Sequence, residues 1–143
     1  MNPVRIRPAD VTDAEGVFEL LRQFATSYPV RRSAFDRDYE RLLSMTYDGT
    51  DLLVAEDDGR LLGYALATRF LVLYAGGPVC ELHELMVHPQ HRNKGIGRRL
   101  VDAVAGRARA AGAVEITVPT RRARDYYLAL GFVETATVLK RAL

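Results

Sequence analysis

One cysteine, no long apolar run and almost no net charge set the outer limits for this chain of 143 residues. The lone thiol, Cys80, closes no internal disulfide and completes no cysteine metal cluster. Its sequence neighbours are apolar, which reads as a buried structural thiol rather than a nucleophile. No apolar stretch approaches the ~18 residues that span a bilayer, and residues 1–5 carry no apolar signal region. A cytoplasmic location without a membrane partner is therefore expected. Twenty Lys and Arg stand against 18 Asp and Glu, a formal charge of +2. That is too mild to argue for nucleic acid, and it suits a small anionic ligand. His83, His88 and His91 are unevenly spaced, and no cysteine or carboxylate completes a ligand set, so no metal is expected. Repeats, low-complexity tracts and linkers are missing too. Residues 1–143 read as one domain, long enough for a single core. Two nucleotide-loop signatures are also absent. Lys94 precedes Gly95 where G-x-x-x-x-G-K-[ST] needs it to follow, and Leu100 stands where G-x-G-x-x-G needs a third glycine.

What is present is the stretch from His88 to Leu100. Leu82, Leu85, Met86 and Val87 before it suit a buried strand. Leu100, Val101, Val104, Ala105 and Ala108 after it recur at helical spacing. Gly95 and Gly97 bracket the turn between them. Such a loop leaves main-chain N–H groups pointing outward at the positive end of a helix dipole. Arg92, Lys94, Arg98 and Arg99 add charge of the same sign. The combination predicts a phosphate or pyrophosphate site.

The remaining pattern places elements on either side. Val4–Arg7 alternates as a strand. Thr12-Asp13-Ala14-Glu15 reads as a capping box, opening a helix with Val17, Phe18, Leu20, Leu21 and Phe24 on its apolar face. Ser33 is placed to cap a second helix carrying Phe35, Tyr39, Leu42 and Leu43 inside. Leu52–Glu56 and Leu61–Leu71 form a hairpin about Asp57-Asp58-Gly59-Arg60. Gly63 marks a bulge or a close approach. Val79–Val87 is the strand feeding the glycine loop. The following helix runs to about Ala111 and stops at Gly112. Ala113–Val118 is a strand, Arg124–Leu130 a short helix and Phe132–Leu139 a last strand. The class is α/β (mixed α+β), in the order β-α-α-β-β-β-α-β-α-β, with a parallel crossover from Val79 to Val118.

The run V-x-P-x-x-R-x-x-G-x-G from Val87 to Gly97 resembles the acetyl-CoA loop of the GNAT superfamily of N-acetyltransferases. Tyr127-Leu128-Ala129-Leu130-Gly131-Phe132 resembles that family's Y-x-x-x-G-F, with Ala123 at the usual place four residues earlier. The element order agrees, so the resemblance covers nearly the whole chain. It implies a central mixed sheet with a splayed parallel strand pair, and transfer of an acetyl group from acetyl-CoA to a primary amine by direct attack. Two departures stand out. The family often has asparagine where this chain has Thr120. The chain also ends at Leu143, so the last hairpin is either absent or supplied by a partner subunit, a homodimer.

Roles follow from the implied reaction. Glu81 and Glu84 are the candidates to take a proton from the substrate ammonium, directly or through water. A regular strand puts them on opposite faces, and a bulge brings both to the cleft. Glu81 holds the position that commonly carries the base in this superfamily. Tyr127 is the acid candidate, since a phenol near pKa 10 stays protonated and can donate to a thiolate of pKa ~8.5. Main-chain N–H groups of Leu85, Met86 and Val87 would hold the oxyanion and bind the pantetheine arm like an added strand. Arg92, Asn93, Lys94, Gly95, Ile96, Gly97 and Arg98 would hold the pyrophosphate, with Thr120 and Tyr127 also at the cofactor. Tyr126 reads as core.

The acceptor pocket is expected from Tyr28–Arg32, the second helix and the Phe70–Pro78 turn, with Tyr28, Arg31, Phe35, Phe70 and Tyr74 on its wall. Glu81 and Glu84 favour an ammonium, and Arg31 and Arg32 a negative group on the same molecule. A small zwitterion fits. Overall length, the E-L-x-E-L run from Glu81 to Leu85 and the short end resemble aminoalkylphosphonate N-acetyltransferases. Two alternatives stay open: a non-catalytic acyl-CoA sensor, and a protein N-terminal or lysine acetyltransferase.

Overall fold

The computed structural model describes residues 4–24, 29–45 and 48–143. Strands β1 (Arg5–Pro8), β2 (Thr50–Asp57), β3 (Arg60–Leu71), β4 (Pro78–Val87) and β5 (Ile116–Thr117) form one sheet in sequence order. The first four are antiparallel and β5 joins β4 in parallel. The helices are α1 (Ala14–Phe24), α2 (Arg32–Ser44), α3 (Ile96–Ala110) and α4 (Arg124–Ala129).

Strand alternation divides the core between the two faces. Leu52, Val54, Tyr64 and Met86 meet Val17 and Leu20 of α1 and Tyr39 of α2. Leu53, Ala65, Ala67, Cys80 and Leu82 meet Leu100, Val101 and Val104 of α3 and Tyr127 of α4. Cys80 is buried, as expected, and burial pushes its thiol up to about 11. The β2–β3 turn uses Asp58 and Gly59 at positive φ, which suits a two-residue hairpin. Gly63 is a close approach: a Cβ there would lie 2.7 Å from the Met86 carbonyl oxygen. At the far end of the sheet the Asp51 carboxylate, 3% exposed, binds both Arg69 and Arg107, which ties α3 to β2 and β3.

Four local expectations are corrected. The cap before α1 is Asp10, not Thr12. A 3-10 turn over Val11–Asp13 precedes the helix, and Asp13 reciprocates the cap because Arg7 holds its carboxylate at 2.8 Å. The Thr12 hydroxyl instead donates to Asp10. Phe24 lies at the end of α1 and is more than half exposed. The α2 helix starts at Arg32, one residue before Ser33, and no side chain caps it. Arg32 stabilises that end by bridging Glu15 and Asp36. The strand expected over Phe132–Leu139 is absent. Residues 132–143 carry no strand, and Val133, Val138, Leu139 and Leu143 are at least 70% exposed. A last strand needs a ladder, and β5, expected over Ala113–Val118, contains only Ile116 and Thr117. Among the described residues no helix is long and apolar enough to cross a membrane.

Candidate active site

The site begins with one extra residue in β4. Leu66 pairs with Glu84 and Ala67 with Leu82, so His83 has no partner across the ladder. This bulge reverses the alternation. Cys80 and Leu82 face the α3 side, and beyond His83 it is Glu84 and Met86 that face α1 and α2. Glu81, opposite Thr68 and alternating with Cys80 and Leu82, shares the Glu84 face. The bulge that the two glutamates required is therefore present.

Each carboxylate has its own partner. The Tyr64 hydroxyl donates to Glu84 Oε1 at 2.6 Å. Burial, with the Glu84 charge adding to it, pushes the Tyr64 phenol far above its ordinary range. Glu81 Oε2 lies 3.3 Å from His83 Nδ1, and His83 Nε2 lies 2.7 Å from Thr68 Oγ1. Glu84 and Tyr64 line a cavity of about 370 Å³ between α1, α2 and the sheet. Arg31 and Phe35 line it as expected. Tyr74 does not: it is 80% exposed on the turn between β3 and β4. Phe70 is likewise outside the lining, and Tyr28 falls outside the described residues.

Leu85, Met86 and Val87 pair with Ala65, Tyr64 and Gly63 on one side. On the other side β5 pairs only with Cys80 and Glu81. Beyond that point β4 has no strand neighbour among the described residues, so its edge is open to an extended ligand.

The glycine loop follows directly. A 3-10 turn over Pro89–His91 leads to Asn93 and Gly95, both at positive φ, and Gly95 takes the N-cap of α3 without any side-chain cap. The first N–H groups of α3 keep their donor capacity. Lys94 and Arg98 are exposed beside them. Arg92 is tied back, its Nε donating to the Val87 carbonyl at 3.2 Å. Partial desolvation and the nearby Lys94 and Arg60 charges hold His91 below its usual value. The two glycines serve different ends. At Gly95 a Cβ would meet nothing within 4 Å, so the backbone conformation is what requires glycine there. At Gly97, next to Ile96 in the helix start, a Cβ would strike the Tyr126 hydroxyl.

That contact corrects the reading of Tyr126 as core. Its ring is 43% exposed and its hydroxyl covers the helix start. Tyr127 is the buried member of the pair, packed edge-on against Tyr126 at 5.3 Å and Phe132 at 5.5 Å. Burial pushes its phenol up to about 12. Tyr127 sits in the α3-side core, across the sheet from Glu84, so the two do not touch; the open edge of β4 separates them. Thr120 uses its hydroxyl to accept from the Ala123 N–H at 3.1 Å.

The sequence and the fold have counterparts among known proteins. A family model described as "Acetyltransferase (GNAT) family" matches residues 15–132. The chain belongs to the GNAT acetyltransferase family. As a GNAT enzyme it is an N-acetyltransferase. It is 32% identical over 136 residues to glucosamine 6-phosphate N-acetyltransferase 1 of Oryza sativa subsp. japonica, covering 91% of this chain and 81% of the relative. It is also 32% identical over 136 residues to the amino-acid acetyltransferase of Ralstonia nicotianae, covering 93% of this chain but 27% of that longer protein. Among solved structures, aminoglycoside N-acetyltransferase AAC(6')-Iy in complex with CoA superposes with a TM-score of 0.86 at 25% identity. That match covers 100% of this GNAT chain and 96% of the other.

Sequence reasoning missed the part that three residues play in the candidate site: Tyr64, His83 and Tyr126. Tyr64 looks like any strand aromatic, and only its hydroxyl, which needs a partner when buried, signals more. His83 is one of three scattered histidines until the register identifies it as the bulge. Tyr126 precedes a tyrosine of the family motif and is hidden by it.

Proposed function

We propose that this enzyme moves the acetyl group of acetyl-CoA to the primary amine of a small molecule, by direct attack in a ternary complex, within a single domain spanning residues 1–143. The β4 bulge carries this reading. It puts two carboxylates on one face of the sheet, Glu84 in the cavity wall and Glu81 on the same face beyond it, next along the chain to the open β4 edge and the glycine loop. Main-chain groups of Leu85–Val87 bind the pantetheine arm and hold the developing oxyanion. The Asn93–Arg98 loop takes the pyrophosphate. Glu84, oriented by Tyr64, receives the substrate ammonium. Glu81 takes its proton, directly or through water, with His83 beside it leading to solvent. The free amine then attacks the thioester, the C–S bond breaks, and Tyr127 supplies a proton to the departing thiolate. Burial pushes the phenol up to about 12, so it stays protonated in the working range. Because transfer to a free thiolate of pKa ~8.5 is uphill, the hydroxyl donates a hydrogen bond to the sulfur as the C–S bond breaks, and the proton it gives up is regained from solvent.

Supporting the small-molecule acceptor is a partly open cavity of about 370 Å³, a size suited to a metabolite. We also propose a cytoplasmic location and a homodimer in which the exposed apolar residues of 132–143 are covered by the second copy. Light scattering tests the dimer. Thiol release against a panel of amines, repeated with Glu81→Gln, tests the reaction. Binding of acetyl-CoA without thiol release from any amine would overturn it.

A further inference from the structure

We infer that the acceptor is a primary amine carried on an apolar body, an aliphatic or aromatic amine rather than a polyhydroxylated sugar amine or a polyamine. This inference rests on the transferase reading above and deepens it.

The argument is the chemistry of the cavity wall. Most of the lining residues are apolar, Val17, Leu21, Phe35, Leu42, Leu52 and Leu66 among them. Among the described residues polar groups are few, and the hydroxyl of Tyr39 is taken by the Asp10 carbonyl. Tyr64 and Glu84 are adjacent, and the Tyr64 proton is already committed to Glu84 Oε1. Among the described residues no hydrogen bond engages the other Glu84 oxygen, which leaves it for an ammonium. Arg31 and Asp38 are the remaining charged residues of the wall, and Asp38 is already paired with Arg37 and lies near Arg41.

A sugar amine placed here would bring several hydroxyls and find partners for few of them. Each hydroxyl buried without a partner opposes binding. A phosphate would find one arginine. A polyamine would bring two or more cations to a wall whose one carboxylate beyond Glu84 is already paired. An amine with a hydrocarbon body meets none of these penalties. Its ammonium reaches Glu84 and its body replaces water along the leucines and Phe35.

The chemistry has two sources, a simple amine and a hydrophobic amino acid. They differ by a carboxylate, for which Arg31 is the available partner. The experiment measures both turnover, by thiol release, and binding to the CoA-loaded protein, by calorimetry. The probes are phenethylamine, L-phenylalanine, glucosamine 6-phosphate and spermidine. We expect kcat/KM for one of the two aromatic amines to exceed that of the others by about 100-fold, the scale on which pockets sort apolar groups. Preference for L-phenylalanine, lost in Arg31→Met, assigns the amino acid; preference for phenethylamine assigns the simple amine. Leu66→Gln, or Leu42→Gln should the first fail to fold, should weaken the aromatic amine and spare spermidine. A preference for glucosamine 6-phosphate or spermidine overturns the inference and leaves the transferase reading intact. Aromatic-amine binding that Leu66→Gln weakens, without thiol release, upholds the inference and overturns the transferase reading. Aromatic amines that neither bind nor turn over overturn the inference.

Discussion

The Tyr126 hydroxyl occupies the space into which a side chain at Gly97 would project. The first turn of α3 and α4 are therefore in contact, and the absence of one methyl group at Gly97 permits it.

Gly97→Ala should displace Tyr126 and weaken acetyl-CoA binding. Adding Tyr126→Ala should restore much of the affinity by vacating that space. Gly95→Ala has no clash to relieve, but its φ of +83° carries a strain of about 1 kcal/mol. Its effect should appear as a lower Tm that Tyr126→Ala leaves in place. Calorimetry of acetyl-CoA binding with the single and double variants decides; equal affinity in Gly97→Ala and wild type would remove the loop from the binding site.

Tyr127→Phe should lower kcat by about 10²-fold or more, the usual worth of a general acid, with acetyl-CoA affinity little changed. The lost hydroxyl leaves the ring contacts with Tyr126 and Phe132 in place. Wild-type kcat, with chemistry shown to be rate-limiting, would assign Tyr127 a packing role alone.

The two glutamates should separate kinetically. On the proposed mechanism Glu84→Gln and Tyr64→Phe should both raise the acceptor KM, the first by removing the carboxylate assigned to the ammonium and the second by removing the hydroxyl bonded to it. Glu81→Gln should instead lower kcat, most strongly near neutral pH, with partial recovery as rising pH supplies free amine. An unaltered pH profile in Glu81→Gln would transfer the base role to Glu84 or to water.

Alkaline stability follows from four buried acids. Cys80 is raised to about 11 and Tyr39 and Tyr127 to about 12, each chiefly by burial, and Tyr64 is raised further. Each holds its proton more tightly folded than unfolded. The stability they contribute is complete below their ordinary values near 9 to 10 and is lost as pH climbs through the folded ones. Urea midpoints should fall progressively above pH 9, and tyrosinate absorbance from these three residues should rise only with unfolding. A flat midpoint up to pH 11 would contradict this.

At the acid end, the Arg7 guanidinium holds the Asp13 carboxyl below its ordinary value. Stability from this pair is present above about pH 4 and lost as pH falls through the folded value. Asp13→Asn removes the negative charge of a nearly buried pair and one of the two oxygens that accept from Arg7 and the Asp10 N–H. The expected loss is about 2–4 kcal/mol, measured by denaturation at pH 7, with a shallower acid transition than wild type.

Much of this was legible in the sequence where the signal is local. Asp58-Gly59 turned the hairpin, Gly112 ended α3, and the Val87–Gly97 run located the loop. What was not legible depends on partners far along the chain. Thr12 and Ser33 were chemically sound caps, displaced by Asp10 with Asp13, and by Arg32 with its two carboxylates. The Phe132–Leu139 pattern has strand character, but pairing requires a neighbour and β5 is short. The role of Tyr64 depends on its position in β3, diagonal to Glu84 of β4, which only the register reveals.

His83 is the one residue that the ladder does not need. Leu66 and Ala67 are consecutive in β3, and their partners Glu84 and Leu82 are separated only by His83. Losing that one codon would leave β4 a regular strand in which Leu82 and Glu84 are adjacent and still face opposite sides. Glu81 and Glu84 would keep their common face, and Cys80 and Leu82 the α3 side. What would go are the contacts of His83 with Glu81 and Thr68. Losing Leu82 instead would restore the same regular register only by setting the His83 imidazole into the apolar α3-side core. In this strand the identity of a lost residue therefore matters more than the fact of the loss.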